Sequence, residues 1–374
     1  MANRVCSVFM KLAVVFAFIV TVAGGCSSDG DGTPPSGGGS GASSIGGTNT
    51  AAGGNTSASG GTTGNLGTIG AAGNSSTAQA WQSVASSSDG TKLVAVAYHG
   101  YIYTSVNSGA TWTQEGPLQH WQSVASSSDG TKLVAVTYGG YIYASVDSGA
   151  TWTQTSTQQH WTSVASSSDG MRLAAVVYGG YIYTSADSGA TWTQSGFQQN
   201  WDSVALSSDG TNFVAGTYDS YLYTSGSGWI WTQTGTQQAW TSVASSSDGT
   251  KLVAVSGGHP YTNPACGYIY TSADSGATWT QTGTQQAWTS VASSSDGTKL
   301  VAVANGACLS GIYDGYIYTS TDSGATWTQA TAPRLNWVSV ASSSDGMKFV
   351  AADGDYDGHV YTSVDSGATW TQRL

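Results

Sequence analysis

The run Asp353-Gly354-Asp355-Tyr356-Asp357-Gly358 places three carboxylates at alternate positions ahead of a glycine. Hard oxygen ligands at that spacing, followed by a residue that permits a sharp turn, make the first half of a calcium loop. The Glu expected at the twelfth position is absent: Val364 stands there, with Asp365 beside it. The run reads either as a calcium site built from Asp353, Asp355 and Asp357 or as a solvated acidic turn. Two thiols, Cys266 and Cys308, occupy the only two large insertions of an otherwise regular chain. A disulfide between them suits an oxidising compartment; two free thiols are the alternative, and a pair of Cys without His at ligand spacing is a poor metal site. The same sector carries His259, Tyr261, Asn263, Tyr313 and Asp314, which offer stacking and hydrogen-bonding groups to a ligand.

These residues are carried by a repeat. The stretch WTSVASSSDGMRLAAVVYGGYIYTSADSGATWTQ, residues 161–194, returns with copies opening at Trp81, Trp121, Trp161, Trp201, Trp240, Trp288 and Trp337. Each copy holds four β-prone runs. In the third copy, residues 161–166 alternate large and small, and 173–178 are continuously apolar, as in a strand covered on both faces. Residues 181–185 are β-branched and aromatic, and Thr191–Gln194 form an edge. Ser168-Asp169-Gly170, Gly179-Gly180 and the Asp187–Gly189 turn separate them. Four short strands per period of about 40–50 residues is the pattern of a propeller blade, which buries its faces only by stacking on neighbours. The expected fold is all-β: a seven-bladed propeller over residues 81–374, four antiparallel strands per blade, without helices. The insertions Ser256–Gly267 and Ala304–Gly315 fall between the second and third strands of consecutive blades and emerge on one face. Nothing before Trp81 reads as a strand for the last blade. The ring is therefore expected to close by packing of blades one and seven, with residues 66–80 outside the seventh.

Residues 1–26 have a basic start, Arg4 and Lys11, and a short apolar run from Leu12 to Ala23, the layout of a secretory signal. The ending Val22-Ala23-Gly24-Gly25-Cys26 resembles the lipobox of bacterial lipoproteins, which implies a lipidated Cys26 as mature N-terminus. Ala23 departs from the usual Leu. Ser27, in place of Asp, resembles lipoproteins sorted to an outer membrane. Residues 27–80, almost wholly Gly, Ser, Thr, Ala and Asn, cannot offset ordering entropy and read as a tether. With 8% charged residues and a net charge of −11, nucleic acid and anionic membrane faces are excluded as partners, leaving the lipid anchor as the membrane link.

The turn between third and fourth strands reads Ser-x-Asp-x-Gly-x-Thr-Trp, with its acid at Asp147, Asp187, Asp274, Asp322 and Asp365. The first copy carries Asn107 instead, and the fourth, Ser225 to Trp231, is degenerate and one residue shorter. This motif resembles the Asp-box, or BNR repeat, of sialidases, sortilin-type receptors, xyloglucan-cleaving glycosidases and photosystem II assembly factors. The resemblance covers residues 81–374 and implies a hairpin type rather than an activity. Physically, the carboxylate accepts from turn amides, Gly takes a left-handed conformation and Trp covers neighbouring strands. A residue repeated around the ring is structural.

Sialidases need three arginines on the substrate carboxylate and a Tyr–Glu pair. After the signal this chain has only Arg172, Arg334 and Arg373, and its single Glu is Glu115. Other glycosidases use two carboxylates across a cleft. The acids that depart from the repeat are Asp202, Asp219, Asp314, Asp353, Asp355 and Asp357, and no pair among them is singled out by spacing. The connectors Gln79-Ala80-Trp81, Gln119-His120-Trp121, Gln159-His160-Trp161, Gln199-Asn200-Trp201, Gln238-Ala239-Trp240 and Gln286-Ala287-Trp288 suit either repeated glycan sites or plain loop packing. The function expected is a monomeric, non-catalytic, surface-displayed binding or adhesion module for a glycan or a surface protein, with no obligatory cofactor. A glycoside hydrolase of the Asp-box propeller type is the alternative.

Overall fold

The computed structural model describes residues 79–257, 266–306 and 314–374. They form seven four-stranded antiparallel sheets, each from one contiguous segment and each with its strands in chain order. In blade one the strands are Ala80–Ser86, Leu93–Tyr98, Gly100–Ser105 and Thr113–Gln119. In blade seven they are Trp337–Ser342, Phe349–Asp353, Val360–Ser363 and Thr371–Gln372. The described residues contain no helix.

The pattern of burial follows the residue types. Second strands are buried at nearly every position, as their unbroken apolar runs require. First strands bury the opening Trp and the Val three residues on, with half-buried small residues between. The hydrophobic core lies between blades: Val94, Val96 and Ile102 of blade one pack on Trp121, Val124, Leu133 and Tyr143 of blade two. All seven opening Trp are 0–2% exposed. Each meets the third-strand Tyr of its own blade edge-on, as Trp81 meets Tyr103 at 5.2 Å and 74°. Such pairs add about 0.5–1.5 kcal/mol to the burial of a large aromatic surface.

Two rings of hydrogen bonds run from blade to blade. The Ser88 amide donates to the Ser128 carbonyl, Ser128 to Ser168, Ser168 to Ser208, and so on through Ser247, Ser295 and Ser344, each at 2.7–2.8 Å. Ser344 then donates to Ser88, and the circuit is closed. In the second ring the Oγ of a first-strand Ser accepts from the Val amide of the adjacent blade, from Ser83 with Val124 round to Ser339 with Val84.

Closure differs from the sequence expectation in one respect. Among the described residues no strand is exchanged between the terminal blades. The Gln79 carbonyl, however, accepts from the Gly358 amide at 3.1 Å in an antiparallel bridge to blade seven. Gly140 and Gln159 form the same bridge within blade two. The residue leading into blade one thus takes in blade seven the place that Gln159 takes in blade two, and the Trp81 indole donates to the Gly358 carbonyl beside it at 3.0 Å.

Candidate functional site: the loop face

Connectors and the hairpins between second and third strands emerge at one end of the ring. Their backbones are tied together: the amides of Tyr138, Tyr178, Tyr218, Gly257, Asn305 and Gly354 donate to the carbonyls of the residues preceding each blade's opening Trp. The connector side chains are largely engaged in the scaffold. Gln158 and Gln198 donate to the hairpin carbonyls of Gly139 and Gly179, and Gln238 and Gln286 donate to the Tyr270 and Tyr318 hydroxyls. The opening Trp are core residues, as the packing alternative for the connectors requires.

The structure supplies a different aromatic surface, which the sequence reading missed. At the end of the second strand stands a Tyr in blades one to four (Tyr98 as its last residue, Tyr138, Tyr178 and Tyr218 just after it) and Gly257, Asn305 or Gly354 in blades five to seven. These four tyrosines are half-buried and form an arc over one half of the face. Tyr178 meets Tyr218 edge-on at 6.4 Å, and Tyr138 lies 5.0 Å from His160. Partial burial pushes the phenols of Tyr98, Tyr138 and Tyr178 above their ordinary range, so they stay neutral donors at physiological pH. Aligning the seven copies would have shown the four-to-three division, but not that the four rings reach the same surface.

His99 continues this arc. Its ring lies tilted against His120, with centroids 3.5 Å apart, and 4.3 Å from Tyr98. Desolvation, and then the adjacent His120, hold its pKa below the usual value, favouring neutral imidazole. Its backbone is left-handed, φ 51°, where blades two and three place Gly139 and Gly179 at 66° and 67°. A side chain is kept at a position where glycine is the unstrained choice.

The acidic run occupies the other half. Asp353 ends a second strand and is 3% exposed. Burial, then the charges of Asp355, Asp357 and Asp314, push its carboxyl up to about 7. The Asp355 amide donates to Asp353 Oδ1 at 3.2 Å, and Asn336 Nδ2 donates to Asp355 Oδ1 at 3.2 Å. Asp314 thus approaches the run from blade six, and Arg334 Nε donates to its carbonyl at 2.9 Å. Among the described residues no three acidic, His or Cys side chains converge into a group able to hold a metal ion. Cys266 is disulfide-bonded. Cys308, His259, Tyr261, Asn263, Tyr313 and the lipidation candidate Cys26 lie outside the described residues.

At the opposite end, the repeated turns behave as their chemistry dictates. Asp147 accepts from the Thr151 amide at 2.9 Å and its hydroxyl at 2.6 Å, while Ser145 Oγ donates to it. Asp187, Asp274, Asp322 and Asp365 repeat these bonds. Hydrogen bonds to the ionised form hold Asp147, Asp274 and Asp322 at about 2. Gly149 is left-handed, as expected, and so is Ser148 before it.

No family model matches the chain, and no curated protein matches it in sequence. Solved structures do resemble it. The GH74 xyloglucanase of Xanthomonas campestris superposes with a TM-score of 0.62 at 15% identity, over 78% of this chain and 53% of that enzyme, so this chain spans about half its length. YCF48 of Cyanidioschyzon merolae gives a TM-score of 0.57 at 16% identity, covering 77% of this chain and 96% of that one. The Cps50 (Swd1) β-propeller domain of Myceliophteria thermophila gives 0.57 at 10% identity, covering 76% and 97%. At such identities the likeness concerns the fold alone: the chain is a seven-bladed β-propeller of four-stranded antiparallel blades.

Proposed function

We propose that the protein is a non-catalytic binding module, presented at a bacterial surface from a lipidated Cys26 on the tether of residues 27–80. Its partner is a glycan or a surface protein held on the loop face; nucleic acid is excluded and the module acts as a monomer. The observation that carries this reading is the arc of Tyr98, Tyr138, Tyr178 and Tyr218 with His99 and His120. It joins apolar ring faces to hydrogen-bonding tips along one rim of the ring. The Asp-box resemblance of the opposite turns supports the architecture and adds no chemistry. Among fold neighbours, one is a xyloglucanase and YCF48 has been seen bound to D1 peptide, so the scaffold is compatible with both ligand classes.

One observation favours the alternative, a glycoside hydrolase. A carboxyl near 7 beside other carboxylates, as at Asp353, is the electrostatic pattern of a general acid paired with an ionised partner. Against it, Asp353 is 3% exposed, and an acid must reach the glycosidic oxygen. The deciding experiment is a glycan array with the full-length protein, run beside hydrolysis assays on the same sugars. Binding without turnover, weakened by Tyr138→Ala and Tyr178→Ala, is expected. Turnover abolished by Asp353→Asn would replace this reading with the hydrolase.

A further inference from the structure

At six of the seven blade junctions a long basic side chain of one blade lies across the glycine of the next blade's first turn, as Lys348 crosses Gly90 and Arg172 crosses Gly210. The ammonium groups of Lys132, Lys251, Lys299 and Lys348 donate to the Asp carbonyl of that turn at 2.8–3.0 Å. Between blades four and five the residue is Asn212. Its shorter amide still reaches the Asp248 carbonyl, at 3.1 Å. It does not fill the space beyond, and no ammonium reaches Ser275 as Lys92 reaches Ser148 and Lys251 reaches Ser323.

Two further changes fall on the same junction. The turn of blade four is one residue short and has Gly226 where blade seven has Val364. It also carries Trp229-Ile230 where the other six turns carry Ala-Thr. Both large side chains point outward, 59% and 78% exposed. The seventh and first blades provide an internal comparison: Lys348, Phe349, Val364, Gly90 and Leu93 bound a crevice of about 10 Å³. The matching positions between blades four and five bound a groove of about 420 Å³. That volume lies within the range of small-ligand pockets, about 300–1,000 Å³.

We propose that this groove is a binding site for a neutral saccharide, separate from the loop face and at the opposite end of the blades. No ionisable side chain lines it, so a charged ligand would be desolvated without a partner. Its walls present the Thr224, Ser227, Thr232 and Ser275 hydroxyls and the Asn212 amide around the Phe213 and Leu252 edges. Hydroxyls serve as donors and acceptors alike, which matches a polyol. Trp229, exposed in the same short turn, offers an indole face for the apolar side of a sugar ring, and Ile230 forms part of the wall. Replacing the small residues of the other turns by two exposed hydrophobic ones gains nothing for the fold, whereas a ligand covering them would.

The site can be closed by restoring what the other junctions carry. Asn212→Lys with Gly226→Val rebuilds the blade-seven arrangement, and a side chain at Gly226 meets only Asn212 Oδ1, at 3.9 Å. The full-length protein is titrated with neutral tetrasaccharides of β-1,4-glucan, β-1,4-mannan, β-1,4-xylan and α-1,4-glucan, followed by tryptophan fluorescence and calorimetry. At least one is expected to bind more tightly than about 1 mM. The double variant and Trp229→Ala should each weaken it at least about tenfold. Silence across the panel, or binding that survives the double variant, overturns the proposal. So does self-association that the double variant abolishes, which would give the groove to a second copy of the chain. Binding lost in Tyr178→Ala but kept in the double variant also overturns it, while leaving the loop-face reading intact.

Discussion

The Ser344 amide donates to the Ser88 carbonyl at 2.8 Å, the same bond that joins each of the other blades to its neighbour. The junction between the chain's two ends is therefore built like the six internal ones. Val84 donates to Ser339 Oγ at 3.1 Å, as Val340 donates to Ser290 Oγ at 3.2 Å.

Ser339→Ala leaves the buried Val84 amide without its acceptor, a loss of about 1–3 kcal/mol. Ser290→Ala should cost a similar amount at an internal junction. Urea unfolding is expected to show lowered midpoints with an unchanged slope for both variants. A much larger effect of Ser339→Ala would mean that the closing junction is a weak seam, contrary to the continuous ring.

Stability should pass through a maximum in mildly acidic solution. Asp89, Asp129, Asp248 and Asp296 accept from Ser and Thr side chains and turn amides, which hold them at about 2 in the folded state. Their contribution is present above the unfolded value near 3.8 and is lost as pH falls towards 2. Asp353 acts in the opposite sense. Its folded value of about 7 means that stability declines as pH rises from about 4 to 7, by at most about 4 kcal/mol. Asp353→Asn should remove the alkaline decline and keep the acid one. Thermal midpoints between pH 2.5 and 8.5 decide it; a variant whose profile still falls from pH 4 to 7 would show that another group is responsible.

His99→Gly should be neutral or stabilising by up to about 1 kcal/mol, because glycine relieves the left-handed strain that blades two and three avoid. The same change deletes the ring packed against His120 and should weaken binding at the loop face. A gain in midpoint together with lost affinity is the expected pair of results. A large loss of stability would make His99 a structural residue.

Peptide mapping under non-reducing conditions is expected to join Cys266 to Cys308. In the chain-entropy description, a closed loop of roughly forty residues is worth about 4 kcal/mol. Reduction should lower the thermal midpoint accordingly. A free thiol at Cys308 would assign the Cys266 bond to another partner.

Much of the architecture is local and periodic, and that part is legible in the residues. Trp161 followed by alternating residues, the apolar run Leu173–Val177 and the Gly170 turn each specify their conformation through neighbours a few positions away. Repeated seven times, they dictate blade number and strand order, because a lone blade cannot cover its faces. The burial of the opening Trp, and hence the scaffold role of the connectors, also follows from that repetition. What the chain order could not convey is where deviations from the repeat meet. Asn212, Gly226 and Ser275 are unremarkable separately, and only the stacking of blade five on blade four makes them one groove. Tyr98 and Tyr218 are 120 positions apart in sequence and belong to one arc because each stands where a second strand ends on the same rim. Gln79 bridges to Gly358 of blade seven because the ring brings the first blade beside the last. Asp353 reads as one acid of a solvated run, yet its place at the end of a covered strand buries it, and burial sets its protonation. Local periodicity specified the blades; packing between residues far apart in sequence decided the surfaces, since burial and shared walls arise only when blades stack.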